Sequence, residues 1–388
     1  MRLRSLTAAR YDVSLNIAFK HASAMRASTE NIIVVAESEQ GQFGYGEGCP
    51  RSYVTGETVA SAATFVEHHY GTVIESVRSV QDLKVWIAQY KPEIDANPAA
   101  FCAVELALLD LLGKENDCTV EALLGLPEVQ RDFRYSAVLG DSEPSVFNAQ
   151  LDRYWKAGFR DFKLKLSGKA ERDQGKISHF RRYDGSEARL RVDANNLWYE
   201  TSDCIDFLNG LHYPFFAVEE PLQAKRLGAF LEIARALNTK LIVDESFLRA
   251  EQLTELADNP ERWILNCRVS KLGGLLRSLA VVEEALSHEL QIIVGAHVGE
   301  TSLLTRAALA LAQSAGEALV AQEGAFGTHL LKRDLCQPVV MFREGGILST
   351  SHNLVFEHAG WGLEVDSGRL TPITRPHALG QKMACSRV

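Results

Sequence analysis

The chain has no surplus of basic residues and no basic run. Its 41 Lys and Arg against 50 Asp and Glu leave a formal net charge of -9. That balance argues against a nucleic-acid partner, because such proteins use excess Lys and Arg to displace counterions from phosphates. Nowhere do about 18 apolar residues run together, and the amino terminus MRLRSLTAARYDVSLNIAF carries basic residues without the apolar stretch of a secretory leader. No membrane role is expected, and the protein is read as cytoplasmic. The seven cysteines, Cys49, Cys102, Cys118, Cys204, Cys267, Cys336 and Cys385, are odd in number, scattered and without a C-x-x-C pair. Reduced thiols are expected, not a disulfide or zinc framework. There is no His-x-His pair for a binuclear hydrolase and no Walker loop for phosphoryl transfer. His68 and His69 lie on a helix-like stretch where adjacent residues face different ways, and both are read as surface.

What is present is ordinary globular material. The 388 residues are 46% hydrophobic and 23% charged, enough for two domains and a substantial core. In the first third, NIIVVAES and GQFGYGEG read as two strands joined by a turn around Glu39 to Gly41, followed by helical stretches around 57 to 70 and 97 to 114. AAFCAVELALLDLLGK is apolar on more than one face, as a buried helix is. From about residue 134 short apolar strands alternate with amphipathic helices. The strand candidates are RYSAVL, DFKLKL, ARLRVDA, FFAVEE, KLIVDE, ILNCRVSK, QIIVGAH and a weaker ALVAQEG. Repeated strand-then-helix units mean parallel strands, and eight of them suggest a closed barrel, with an open doubly wound sheet as the alternative.

Charged residues recur near the carboxyl ends of successive strand candidates: Lys165, Asp193, Glu219, Asp244, Lys271 and His297, spaced by 28, 26, 25, 27 and 26 residues. That period puts them on one rim, where a barrel builds its active site. Three carboxylates converging from adjacent strands would repel unless a cation neutralised them, and an all-oxygen set suits Mg²⁺ better than Zn²⁺ or copper. Lys163 and Lys165 are two apart on one strand and share a face. Lys165 is read as a base, Lys163 as the neighbour that tunes it, and Lys271 as serving the opposite face of a bound substrate. This equipment suits removal of a proton from a carbon next to a carboxylate, where a waiting cation stabilises the enediolate.

At these residues the chain resembles the enolase superfamily, whose members pair a Lys or His base with Mg²⁺. The K-x-K strand followed by a single Lys is similar to the muconate lactonizing enzyme subgroup. The resemblance implies an α/β fold, a modified TIM barrel of (β/α)7β type over 131–343. It implies an α+β capping domain from residues 1–130, joined by a carboxyl-terminal return over 344–388. It implies Mg²⁺, with Mn²⁺ as a substitute, held by Asp193, Glu219 and Asp244, and Lys165 and Lys271 as an acid/base pair beside Lys163. FKHASAMRASTENIIV and PRSYVTGET look most like the dipeptide epimerases of this subgroup, which makes Arg26, Tyr53 and Thr55 substrate-binding candidates.

One departure from that pattern concerns the eighth strand. Dipeptide epimerases carry an Asp-x-Asp there for the substrate ammonium group, whereas this chain reads QEGAFGTHLL, leaving Glu323 as a single acid. FGTHLLKRDL looks closer to cycloisomerases. His297 and Glu300 in GAHVGETSLLTR are read as substrate-binding. The expectation is an isomerase acting on a small-molecule carboxylate, an epimerase or racemase of an amino-acid derivative or dipeptide. The alternative is a cycloisomerase or syn-dehydratase on a small diacid. Homo-oligomers are common among relatives, and assembly here stays open by analogy.

Overall fold

The structure is a computed structural model describing residues 1–21, 24–183, 188–224, 226–351 and 354–374, with no side chain described over 17–26 or at 354. The amino-terminal strands are β1 (Leu3–Tyr11), β2 (Ser14–His21), β3 (Ala24–Ser28), β4 (Asn31–Ser38) and β5 (Phe43–Gly48). Five helices follow: α1 (Val59–Ser76), α2 (Val80–Gln89), α3 (Lys91–Ala96), α4 (Pro98–Glu115) and α5 (Val120–Leu124). β1, β4 and β5 form an antiparallel sheet, and β2 and β3 a separate hairpin.

The sheet meets α4 through alternation. Gly44, Gly46 and Gly48 fall on one face of β5, and a Cβ on Gly46 would lie 2.2 Å from the carbonyl oxygen of Ala103. Only glycine admits so close a helix. α4 is buried from Pro98 through Gly113, as its apolar pattern requires. Its two buried acids join it to other parts of the chain. Glu105 accepts the Leu275 and Leu276 amides, and Asp110 accepts the Tyr45 and Trp361 amides at 2.9 Å each.

The two adjacent histidines divide. His68 is exposed, but His69 is buried, 4.5 Å from the Phe65 ring centroid and 5.3 Å from that of Trp86. The expectation that both were surface residues fails for His69, because α1 turns that face toward the aromatic side of α2.

After β6 (Phe133–Arg134) the strands alternate with helices: β7 (Ala137–Leu139), α6 (Pro144–Lys156), β8 (Asp161–Lys165), α7 (Ala170–Phe180), β9 (Arg189–Asp193), α8 (Thr201–Gly210), β10 (Ala217–Glu219) and α9 (Leu227–Ala236). The series continues through β11 (Lys240–Val243), α10 (Leu253–Leu256), β12 (Trp263–Cys267), α11 (Val269–Leu272), α12 (Leu275–Ser287), β13 (Gln291–Val294), α13 (Ser302–Ala315) and β14 (Leu319–Gln322). β7 to β14 form one eight-stranded parallel sheet in chain order. The Ser136 amide, just before β7, donates to the Gln322 carbonyl of β14 at 2.8 Å and draws the two edges together. The expected barrel is the observed architecture, and the open doubly wound sheet is excluded by this strand order.

Strand alternation explains DFKLKL. Phe162 points outward, stacked with Trp155 of α6 and edge-on to Phe180 of α7, while Lys163 and Lys165 both reach Asp193 inside the barrel. Ala217, Ile242, Ile264, Ile293 and Ala321, one from each of five adjacent strands, form an apolar cluster of their own. The carboxyl-terminal segment adds β15 (Cys336–Gln337), β16 (Ile347–Leu348), β17 (Glu364–Val365) and β18 (Thr371–Pro372). β16 pairs with β6, and β18 pairs with β1 in the amino-terminal sheet. Among the described residues no helix is long and apolar enough to cross a membrane.

Candidate active site

At the carboxyl ends of the strands lies a cavity of about 1250 Å³, lined among others by Lys163, Lys165, Asp193, Arg268 and Glu323. Lys165 ends β8, Asp193 ends β9 and Glu219 ends β10, in register: Lys165 pairs with Asp193, and Asp193 with Glu219. Asp244 follows β11 directly. Three carboxylates therefore sit at the ends of three adjacent strands, as their spacing predicted.

Each of them is engaged by a cation of the chain. Lys163 Nζ lies 3.1 Å from Asp193, 2.8 Å from Glu219 and 3.2 Å from Glu323. Burial acts first to lower the pKa of Lys163, but Asp193, Glu219 and Glu323 outweigh it and hold the ammonium above the ordinary lysine range. Lys165 Nζ donates to Asp193 Oδ2 at 3.0 Å and to Asn195 Oδ1 at 2.6 Å, on the cavity wall. Burial would raise the Asp193 pKa, and Lys163 and Lys165 pull it well below the carboxylate range instead. Asp244 is bound by Lys271 at 2.8 Å and by Arg268.

Negative charge nevertheless exceeds what these cations cover. Glu219 is raised above the ordinary value, by burial first and despite Lys163. Glu245, next to Asp244, lines the cavity with Oε2 buried and without a hydrogen-bond partner. Burial, then repulsion from Glu220, Asp193 and Glu219, pushes its pKa up to about 8. Glu220 is raised to about 7, chiefly by burial. It accepts the Asp244 amide at 2.6 Å and the Ser246 amide at 2.8 Å, which fixes the loop carrying Asp244 and Glu245. An all-carboxylate set, an orphaned buried carboxylate oxygen and several acids resisting ionisation fit a hard divalent cation. The fit requires Asp193, Glu219 and Asp244 to turn from their lysine and arginine partners toward the ion. Among the described residues, the cluster whose ligand atoms already lie within 4.8 Å of one another is a different one, Cys49, His297 and Glu300.

The structure departs from the expected site at the sixth strand. β12 ends at Cys267, the chain turns into α11 at Val269, and Lys271 lies in that helix, outside the residues lining the cavity. Its ammonium donates to the Asp244 carbonyl, to Asp244 Oδ1 and to the Asn266 carbonyl, at 2.8 Å each. Burial, with Arg268 next, lowers its pKa to about 7. The residue that follows β12 as Asp244 follows β11, and that does line the cavity, is Arg268. ILNCRVSK was read as strand through Lys271. Gly273, left-handed at φ 84°, closes a four-residue helix instead. A Gly-Gly pair just after the lysine was the available signal.

The substrate-binding candidates fall in different places. Tyr53 lines the cavity, half-buried. Thr55 is absent from its lining, and its hydroxyl donates to Glu57 at 2.7 Å. Glu57 in turn accepts the first amides of α4. Arg26 lies on β3, but its side chain is outside the described residues. His297 and Glu300 line the cavity after β13, with the His297 amide donating to Glu300 at 2.6 Å. Burial raises Glu300 to about 8. Glu323 also lines the cavity, yet Arg191 holds it at 2.7 Å and Lys163 at 3.2 Å. Burial alone would raise its pKa; these two cations hold it at about 2. Arg191 is itself tied to Asp161, so Glu323 belongs to an ionic network across the barrel interior.

The sequence profile described as Enolase C-terminal domain-like matches residues 146–369, more than half of the chain. A hydrophobic dipeptide epimerase of Enterococcus faecalis is 28% identical over 313 residues, 80% of this chain and 87% of that protein. A chloromuconate cycloisomerase of Cupriavidus pinatubonensis is 23% identical over 351 residues, 89% of this chain and 91% of that protein. The crystal structure of the Enterococcus faecalis V583 dipeptide epimerase with Mg and L-Leu-L-Tyr superposes with a TM-score of 0.80 at 24% identity, covering 94% of this chain and all of that one. The chain belongs to the Enolase C-terminal domain-like family, within the enolase superfamily.

Proposed function

We propose that this protein is an Mg²⁺-dependent isomerase or lyase whose first step is removal of the proton alpha to a substrate carboxylate. The observation that carries the reading is the position of Lys165: on the cavity wall, at a strand end, beside Asp193 and the neighbouring Glu219 and Asp244. Asp193, Glu219 and Asp244 would hold the ion. When bound, it supplies positive charge next to the carboxylate of the substrate.

The chain's own groups do the rest. Lys165, as the free amine, takes the α-proton, and the C–H electron pair moves into the carboxylate to give the enediolate. Asn195 and Asp193 orient the Lys165 Nζ. Lys163 favours the ionised forms of Asp193 and Glu219 and aligns them, serving as a counter-ion instead of the tuner the sequence suggested. Phe159, Phe326, Leu330 and Phe342 in the wall exclude water and suit an apolar substituent.

The substrate class follows from Glu323. With Arg191 and Lys163 on it, Glu323 is not free to receive an ammonium group. This favours an N-acylated amino acid or a small diacid over a dipeptide with a free amine. Epimerisation or racemisation is the reading supported by the epimerase relative. Cycloisomerisation or syn-elimination is favoured by a specific observation, the arginine at the sixth strand end. We place the capping part at 1–130, the barrel at 131–343 and the return at 344–388.

The test is a screen of N-acyl amino acids, dipeptides and small diacids in D₂O with Mg²⁺, read as mass gain. Gain of one deuterium that Lys165→Ala abolishes supports the proposal. Exchange that survives Lys165→Ala, or that needs no divalent ion, overturns it.

A further inference from the structure

Proton transfer with inversion needs a proton carrier on each face of the α-carbon. The barrel offers the two faces from strands four apart in the eight-stranded order, β8 and β12. On β8 the carrier is Lys165. On the β12 side, the residue in the cavity wall is Arg268, while Lys271 is fully buried behind it with three acceptors filled.

Arg268 is built into its place. Its guanidinium binds Asp244 through Nη2, and its stem lies against Gly295, just after β13, where a Cβ would come within 3.1 Å of Arg268 Cγ and 2.0 Å of Asn266 Oδ1. The absence of a side chain at Gly295 makes room for it. Arg268 Nε is buried and has no hydrogen-bond partner, so the group retains a donor for an incoming anion. Arginine side chains do not give up their proton in proteins, and a guanidinium presents several donors in a rigid fork. Such a residue stabilises negative charge but does not relay a proton.

We infer that Arg268 is a catalytic residue of the sixth strand, a fixed cation for the substrate's developing charge, and that Lys165 carries the proton with no lysine opposite it in the cavity wall. The inference rests on the proposed α-proton abstraction and limits how that reaction ends. Lys165 takes the proton as the C–H pair enters the enediolate. Then either Lys165 returns the proton to the same face, or the electron pair expels a group from the β-carbon and Lys165 hands its proton to that leaving group; run in reverse on an unsaturated diacid, a carboxylate oxygen bonds to the β-carbon, the alkene pair enters the enediolate, and the Lys165 ammonium protonates the α-carbon. Arg268 contacts the carboxylate or the leaving group and exchanges no proton. This directs the enzyme toward cycloisomerisation or elimination, and away from inversion.

The experiment uses the full chain with Mg²⁺ in D₂O and both enantiomers of N-succinyl and N-acetyl amino acids, together with small diacids, as probes. Chiral chromatography coupled to mass spectrometry reads the products. For the wild type, deuterium enters one enantiomer with retention, or an eliminated or cyclised product forms. The mirror isomer appears at no more than about a hundredth of the exchange rate, the least that a missing general acid costs. Arg268→Lys, confirmed as folded by circular dichroism, gains mirror-isomer formation; Arg268→Gln keeps one-face exchange at a lower rate. Wild-type conversion of both enantiomers into mirror isomers carrying solvent deuterium, at rates comparable to exchange, overturns the inference while leaving the proposed function standing. No exchange and no product with any probe removes the proposed function, and the inference with it.

Discussion

Replacing Lys163 by Met removes one charge from the point where three buried acids meet. The side chain is 3% exposed, and its ammonium lies within 3.2 Å of Asp193, Glu219 and Glu323. Lys165 still holds Asp193 and Arg191 still holds Glu323. Glu219 is left with the Asn266 amide at 3.2 Å. Removing one partner of a buried ion pair costs about 3–5 kcal/mol. At roughly 2.1 cal/mol/K per residue this lowers Tm by about 4–6 °C in a chain of this length.

The same substitution leaves the acids freer to hold a divalent ion. A ligand at about 100 times its Kd stabilises by about 2.7 kcal/mol, so saturating Mg²⁺ should recover much of the loss and narrow the gap to the wild type. The assay is thermal denaturation of both proteins in EDTA and in saturating Mg²⁺. A Lys163→Met Tm equal to wild type in EDTA, or a gap that Mg²⁺ leaves unchanged, would refute the charge argument.

Three further outcomes are expected. Asp244→Asn should weaken Mn²⁺ binding by at least about tenfold, judged against the 10–100-fold typical of losing even an outer partner of a metal ligand; calorimetry measures it. Gly46→Ala drives a Cβ to 2.2 Å from Ala103 O and should cost at least about 1–3 kcal/mol, read by urea denaturation, with normal stability contradicting the β5 to α4 packing. Stability without metal should fall as pH rises from about 5 to 8. Burial raises Glu47 to about 7 and Glu105 to about 8, so the folded state keeps protons that the unfolded chain has released. Their contribution is complete below the unfolded value near 4.5 and is lost as pH passes through 7 to 8. A Tm–pH slope that Glu105→Gln fails to flatten would contradict this.

The sequence carried the barrel and the three acids because both depend on local repetition: short apolar strands, helices between them and an acid at each strand end. Lys163 and Lys165 were legible for the same reason, since alternation fixes which way a strand residue points. Arg268 was not, because apolar Val269 and Leu272 flank Lys271 much as a continuing strand would, and only the left-handed turn at Gly273 shows that a helix has begun. The engagement of Glu323 was invisible too. Arg191 is 132 residues away in sequence, and nothing local in QEGAFG shows which cation will cross the barrel to meet it. Glu105 reads as a charge in an apolar helix until the amides of α12 are brought against it. Long-range pairing of this kind is a property of packing, not of pattern.

The central claim is that a divalent cation sits at the rim between Asp193, Glu219 and Asp244, within reach of Lys165. Anomalous diffraction from crystals soaked in Mn²⁺ tests it most directly. The account predicts a peak with carboxylate oxygens of all three residues about 2.1 Å away, and with Asp244 turned from Arg268 toward the ion. A peak at Cys49, His297 and Glu300, with the three strand-end carboxylates still closed on their lysines and arginine, would contradict it.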